Sequence, residues 1–514
     1  MNPITEKTPW SQSLLALLDR RVLVLALLGF SAGLPILLIF SSLSLWLLEA
    51  GVERKAVTFF SWAALGYSFK FVWAPLVDRM PLPALTAWLG QRRSWLLLAQ
   101  IGIVAALLGM SRVDPASGGH SLVLMALLAV LLGFSSATQD VVIDAYRIES
   151  APADMQALLS SAYIAGYRVG MIVAGAGALY LASYWGSAQG AYVFGAWQQT
   201  YATMAAVMGV GILTNLWMRE PVRPEGAVWS AAGNARLFAV FAGGVGAFVA
   251  VFFWLGEASQ TLLAGVAMGP LGGLLWEALR LLLALAAALA VGRALVSAGV
   301  AQAEVARQTW VVPVQDFFAR YGAHTAWLLL ALIGLYRISD IVLGVISNVF
   351  YADMGFSKIE IANAVKTYGV VIGIVGGFLG GILATRWGVM RCLFWGAVMA
   401  ALTNLLFVAL AQAGHNQPLL YVVVSADNLA AGFASAAFVA FLSSLVNVSF
   451  TATQYALFSS LMTLLPKSLG GYSGGMVDAL GYPGFFVVTS AMGLPVIALV
   501  LWAGRHLQLR DPLR

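Results

Sequence analysis

HSLVLMALLAVLLGFSSATQDVVIDAYRIE, residues 120–149, opens as an almost unbroken apolar run and then places Asp140 and Asp144 one helical turn apart. A helix over this stretch is long enough to cross a bilayer. At i and i+4 the two carboxylates share one face. Each costs roughly 2.5–3.5 kcal/mol inside hydrocarbon on insertion scales, and such acids face wet cavities, pair with cations or carry protons. The stretch therefore reads as one helix of a membrane transporter.

Composition agrees. Of 514 residues, 61% are hydrophobic and only 10% charged, against about 25% charged in a soluble domain. The net charge of +6 comes from Lys and Arg at span ends, a topology signal and not a nucleic-acid surface. Cys392 stands alone, so no intramolecular disulfide exists. The polar start before Val22 lacks the short apolar core and small-residue site of a signal peptide, so the first apolar segment is expected to remain as a helix.

Apolar spans are placed at 22–48, 57–77, 94–111, 121–147, 156–184, 198–218, 237–260, 265–297, 326–351, 361–385, 391–412, 419–445, 452–475 and 483–504. Most Lys and Arg then fall at one set of ends, among them Arg79, Arg92, Arg93, Arg147, Arg386 and Arg391, which puts both termini in the cytoplasm. APLVDRM and GQRRSW after the second span are echoed by GGFLGGILATRWGVMRC after the tenth. With the seventh and eighth spans set aside, the two exits are six spans apart, the mark of two six-helix halves. The expected fold is all-α and polytopic. Residues 1–220 form the first bundle, 221–312 a two-helix insert with linkers, and 313–514 the second bundle. The loop with Asp78, Arg79, Arg92 and Arg93 resembles the signature loop of the major facilitator superfamily. The insert reads as peripheral packing, with Glu277 and Arg280 as a neutralising pair. Pro313–His324 reads as an amphipathic anchor on the interface.

Polar residues inside spans carry the chemistry. Lys70 shares a face with Tyr67 and lies at a depth similar to Asp140, so a Lys70–carboxylate couple is expected. Arg337, Asp340, Gly344, Ser347, Asn348 and Tyr351 draw a polar stripe that lipid cannot satisfy. Arg168 sits near mid-depth, Lys366 near the outer end, and Asp427 and Asn428 well inside the twelfth span. Asn447 and Gln454 read as caps of a turn. Trp46, Trp73 and Tyr351 are candidates for stacking on a sugar. There is no GxxxxGK[ST] phosphate loop, and the four histidines form no metal set. No enzyme chemistry, metal or cofactor is therefore expected, and an ion gradient would have to drive uptake.

GFSAGLP (29–35), YSFKFVWAPLVDR (67–79), FSSATQDVVIDAYRIE (134–149), GYRVGM (166–171), QDFFARYGAHTAW (315–327) and SFTATQYALFSS (449–460) together resemble the AmpG muropeptide permeases of the major facilitator superfamily. The resemblance implies two extra helices between the halves and proton-driven import of anhydro-muropeptides across the bacterial inner membrane for peptidoglycan recycling, a process linked to β-lactamase induction. Where the family pattern has Glu-Asn in the twelfth span, this chain has Asp427-Asn428. Acetyl-CoA transporters share the Gln139, Asp140 and Asp144 pattern, so those residues alone leave the substrate open.

The expected roles follow. Asp140, Asp144, Asp340 and Lys70 couple protons. Gln139, Arg168, Arg337, Ser347, Asn348, Tyr351, Lys366, Asp427 and Asn428 bind substrate. Asp78, Arg79 and Arg386 latch the cytoplasmic side. The partners are the muropeptide, protons and the lipid bilayer, with no nucleic acid, and a monomer is expected. A carrier of another anionic conjugate, a drug exporter, a membrane-embedded enzyme on lipid-linked sugars and a transport-dead sensor are the rival readings. The topology is checked by fusions at the C-terminus. A fluorescent protein should light up and alkaline phosphatase should stay inactive; the reverse pattern would invert every span.

Overall fold

The computed structural model describes residues 19–39, 41–52, 67, 69–152, 155–187, 191–222, 231–262, 270–470 and 473–506. Its main helices are α1 (Arg20–Ile39), α2 (Gln91–Met110), α3 (Gly119–Ser150), α4 (Gln156–Ile172), α5 (Phe194–Val207), α6 (Ala231–Leu262), α7 (Pro270–Ser297), α8 (Val312–Tyr321), α9 (Ala323–Leu335), α10 (Ile338–Asp353), α11 (Gly369–Trp387), α12 (Val389–Ala413), α13 (Gln417–Ser444), α14 (Thr451–Gly470), α15 (Ser473–Ala491) and α16 (Gly493–His506). Helices dominate because within hydrocarbon each backbone N–H and C=O must be satisfied inside its own segment.

Among the described residues, 11 helices are long and apolar enough to span a membrane. Three expected spans are not among them. The second lies largely outside the described residues. The sixth is divided at Met208 into α5 and Gly209–Trp217, each short. The thirteenth is α14, where Pro466 and several Thr, Ser and Gln residues dilute the apolar run.

Two glycine seams set the helix spacing. Gly29 and Gly33 of α1 face the Tyr163 and Tyr167 carbonyls of α4, while Gly166 and Gly170 of α4 face the Ala26 and Phe30 carbonyls of α1. A Cβ at any of the four would stand 1.8–2.2 Å from the facing oxygen, so only glycine lets these backbones touch. In the second half, Gly376 and Gly380 of α11 meet the Leu429 and Phe433 carbonyls of α13, and Gly432 returns the contact at the Gly373 carbonyl.

The first half has two apolar clusters. One runs from Leu34 to Met208. The other runs from Val22 to Val305 and takes in Ala452 and Ala456 of α14 from the second half. A third cluster fills the second half. The halves also meet where α4 lies on α11: Ser161 Oγ donates to the Gly377 carbonyl at 2.6 Å, and Gly381 abuts Ala157 and Leu158.

Of the inserted pair, α6 leans on the first half through Leu237 and through Phe248, whose ring lies 5.8 Å from that of Phe69. On α7, Leu279, Leu282, Leu283 and Leu289 are exposed, as peripheral packing against lipid requires. Arg280 is buried, donating to the Phe252 carbonyl at 2.8 Å and lying over its ring. Its expected partner Glu277 has a side chain outside the described residues.

Gly33→Leu and Gly170→Leu should each cost more than the roughly 1–3 kcal/mol of ordinary overpacking, because backbone blocks relaxation. Thermal unfolding of the purified protein should show a large loss of Tm. Gly246→Leu, where a Cβ meets nothing within 4 Å, should leave Tm in place. Equal melting of all three would refute the seam.

Candidate functional site

The interior charges of the first half collect on one face of α3. Lys70 opens a single 3₁₀ turn, Lys70–Val72, and its Nζ reaches Asp144 Oδ2 at 3.8 Å. Arg147, one turn further along α3, approaches Asp144 Oδ1 at 3.5 Å. Asp144 thus stands between two cations. Asp140, buried one turn back, accepts from the Tyr163 hydroxyl at 3.4 Å, and the Tyr67 hydroxyl bonds Ser136 Oγ at 2.6 Å. The expected Lys70 couple is present, with Asp144 as its partner. Tyr163 was not among the expected site residues; its only sequence signal is its place one turn from Tyr167 on α4.

The second half brings its own set. Arg337 lies at the turn where α9 passes into α10 within one span, and its Nη2 is 3.9 Å from Asp340 Oδ2. Arg168 of α4 packs against Gly373 of α11, within electrostatic reach of Arg337. Asp427 of α13 is within reach of Asp340 and of Tyr351. Among the described residues, Lys70 and Arg147 pair with Asp144 and Arg337 with Asp340, while Arg168 stands near the like charge of Arg337 and Asp427 near that of Asp340. Among the described residues no group of three His, Cys, Asp or Glu side chains stands where it could hold a metal ion.

Toward the arginine-rich face the site is sealed. Asp78 is buried and receives the Ala452 N–H at 3.0 Å, the Thr453 N–H at 2.8 Å and the Thr453 hydroxyl at 2.7 Å. It thus caps the open N-terminus of α14, where unpaired N–H groups and the helix dipole favour an anion. Arg92 holds Asp78 at 2.8 Å and Glu149 at 2.6 Å. Arg147 crosses to Ser443 Oγ at 2.8 Å, bonds Gln156 Oε1 at 3.0 Å and lies over the Tyr455 ring. Arg79 stacks over Phe450. Glu220 caps α2 through the Arg92 and Arg93 N–H groups; burial pushes its carboxyl up from the ordinary value against the pull of those donors. Toward the opposite face, His415 meets Glu360 at 3.1 Å. Bonds from Ser357 and His415 hold the Glu360 carboxyl below its usual value.

Several expected site residues sit differently. Gln139 is fully buried, and neither amide atom has a hydrogen-bond partner. Ser347 bonds back to its own helix at Gly344, as Asn428 does at Val424. The Asn348 and Lys366 side chains lie outside the described residues. Arg386 closes α11 at the arginine-rich end. The sugar-stacking guess fails for the two tryptophans. Trp46 is buried, stacked on Trp197 and bonded to Tyr192; Trp73 is buried and bonded to Thr138. Tyr351 is buried beside Phe350. Asn447 caps Ser449, and Gln454 does more than cap: it bonds Pro313, Asp316, Arg320 and Asn447.

Comparison with known proteins agrees with this geometry. A family model described as acetyl-coenzyme A transporter 1 matches residues 21–185. AmpG 4 of Rickettsia conorii is 30% identical, the match covering 94% of this chain and 96% of that protein. The anhydromuropeptide permease of Escherichia coli K12 is also 30% identical, over 96% of this chain and 81% of its own. Among solved structures, the proton:xylose symporter XylE bound to 6-bromo-6-deoxy-D-glucose superposes with a TM-score of 0.59 at 13% identity, covering 96% of each chain. The human organic anion transporter MFSD10 gives 0.51 at 14%, covering 96% of this chain and 100% of that one. These two likenesses establish the major facilitator fold.

Asp78→Ala should open the seal. Hydrogen bonds to a charged group contribute about 1.5–3 kcal/mol each, so losing even one is worth about tenfold in an equilibrium. With Cys392→Ala as background, a cysteine at buried Leu158 should react with maleimide about tenfold faster in the Asp78→Ala protein. An unchanged rate would mean that the seal stands without Asp78.

Proposed function

This chain belongs to the AmpG permease family, and we propose on that premise that it imports anhydro-muropeptides together with protons by alternating access. The arginine-rich face is the cytoplasmic one, so the structure corresponds to a state closed to the cytoplasm. The observation that carries the reading is the set of interior charges, four cations and four carboxylates drawn from both halves, with Lys70 and Arg147 paired to Asp144 and Arg337 paired to Asp340. Such a site is neutral when fully ionised. A solute bearing several carboxylates adds negative charge, which protonation of one or more aspartates offsets.

Arg168 and Arg337, facing each other from opposite halves, suit the peptide carboxylates through charge-assisted bonds. Gln139, Ser347, Asn348, Tyr351 and Asn428 suit sugar hydroxyls and amides, and Lys366 and Asp427 complete the substrate set. Asp140, Asp144 and Asp340 are the proton carriers, with Lys70 as the counter-charge. Asp144 has a special position, since its second cation, Arg147, is also a bond of the seal. Protonating Asp144 would loosen Arg147 at its α3 end, which links proton uptake to opening. Asp78, Arg79 and Arg386 form the cytoplasmic latch. The acetyl-coenzyme A reading draws on residues 21–185, whereas SFTATQYALFSS in the second half favours the muropeptide.

Proteoliposomes and labelled GlcNAc-anhydro-MurNAc-tripeptide test this. Wild-type protein should accumulate the tripeptide conjugate under an inward proton gradient. Arg168→Ala or Arg337→Ala should raise KM roughly ten- to hundredfold, the worth of a bond to a charged group. Asp140→Asn should abolish accumulation while leaving exchange of pre-bound substrate. No uptake by folded wild type would reject the muropeptide.

A further inference from the structure

The segment joining the inserted helices to the second half touches both halves on the arginine-rich face. Its first part belongs to the first half. Val305 is buried in that half's cluster and Trp310 packs on it. Trp310 Nε1 donates to the Val72 carbonyl at 3.3 Å, and Arg79 reaches the Gln308 carbonyl at 3.5 Å. Its second part, α8, belongs to the second half. Phe317 is buried in that cluster, 5.2 Å from the Phe458 ring. Gln454 Nε2 donates to the Pro313 carbonyl at 2.8 Å and to Asp316 at 2.9 Å. Asn447 donates to Asp316 at 3.0 Å, and Arg320 joins Asp316, Gln454 and the Leu445 carbonyl.

The two attachments are unequal. The second-half side has a network of bonds between 2.8 and 3.1 Å, two of its members charged. Among the described residues, the first-half side has two long bonds and apolar packing. The first-half contacts of Gln308 and Trp310 lie on a π-helical turn, Arg307–Val311, and the second-half contacts begin at Pro313, so Val311 and Val312 join the two attachments. π turns mark strained and functional points in helices, and proline breaks the regular ladder by lacking an N–H.

We propose that Val305–Tyr321 is a strap across the cytoplasmic face, clamped to the second half by α8 and clipped to the first half by Trp310, with Val311–Pro313 as its hinge. This rests on the alternating-access reading above. Trp310 is a positioning residue of the gate. The strap ends at Gln454, the residue after Thr453, whose N–H and hydroxyl go to Asp78. It begins against the Lys70–Val72 turn that holds the interior lysine. When the latch opens, Trp310 leaves Val72 while α8 keeps the α14 N-terminus placed for re-closure. The inserted helices, leaning on the first half through Leu237 and Phe248, travel with that half.

The test uses the full chain in nanodiscs with Cys392→Ala and spin labels at exposed Ala87 and Arg391, one on each half. Pulsed dipolar spectroscopy reads closed and open distances. Trp310→Ala should raise the open fraction about threefold at unchanged Tm, and Trp310→Phe should fall between it and wild type. Two glycines inserted after Val311, which remove no side chain, should act like Trp310→Ala. Two populations whose ratio neither change moves would overturn the strap alone. A single distance at every pH, and with Asp78→Ala, would overturn alternating access itself.

Discussion

One buried carboxylate closes this molecule. Asp78 sits at the end of a first-half helix and satisfies the N-terminal N–H groups of α14 in the second half, while Arg92 neutralises it from behind. A helix start away from water needs an acceptor, and an aspartate buried there needs a cation. Each requirement answers the other. The contact is therefore specific and yet built from groups that water can also satisfy.

The interior charges are arranged around the same logic. Asp144 shares Lys70 and Arg147, and Arg147 also reaches Ser443 across the halves. The charge state of the cavity and the integrity of the seal thus meet in one guanidinium. No long relay is needed, since α3 carries both within one turn.

Local spacing in the sequence was enough to read eleven of the fourteen expected spans, the acid face of α3 and the Lys70–carboxylate couple, because each rests on periodicity and the cost of charge in lipid. What escaped depends on distant pairing. Trp46 looks like an exposed aromatic until Tyr192 and Trp197 close over it. The amphipathic pattern at 313–324 predicts an interfacial helix, but not that Asn447 and Gln454 bond its protein-facing side. The turn at Tyr336–Arg337 within the single span Ala323–Tyr351 has no proline to announce it. Gln139 shows the reverse case: its position on an apolar helix was legible, but not that its amide would be buried with no hydrogen-bond partner within the protein.

The α1–α4 seam has a consequence for how such a protein can diversify. Four glycines weld those two helices at backbone distance, so that pair tolerates no larger side chain at 29, 33, 166 or 170. On α4, Tyr167 and Arg168 lie between Gly166 and Gly170, and Tyr163 lies one turn before them. These aromatic and charged side chains are thus carried on a scaffold whose own positions are frozen, while the positions beside them are free of that constraint. New solutes can be accommodated by exchanging the residues between the welds, without re-solving how the helices pack.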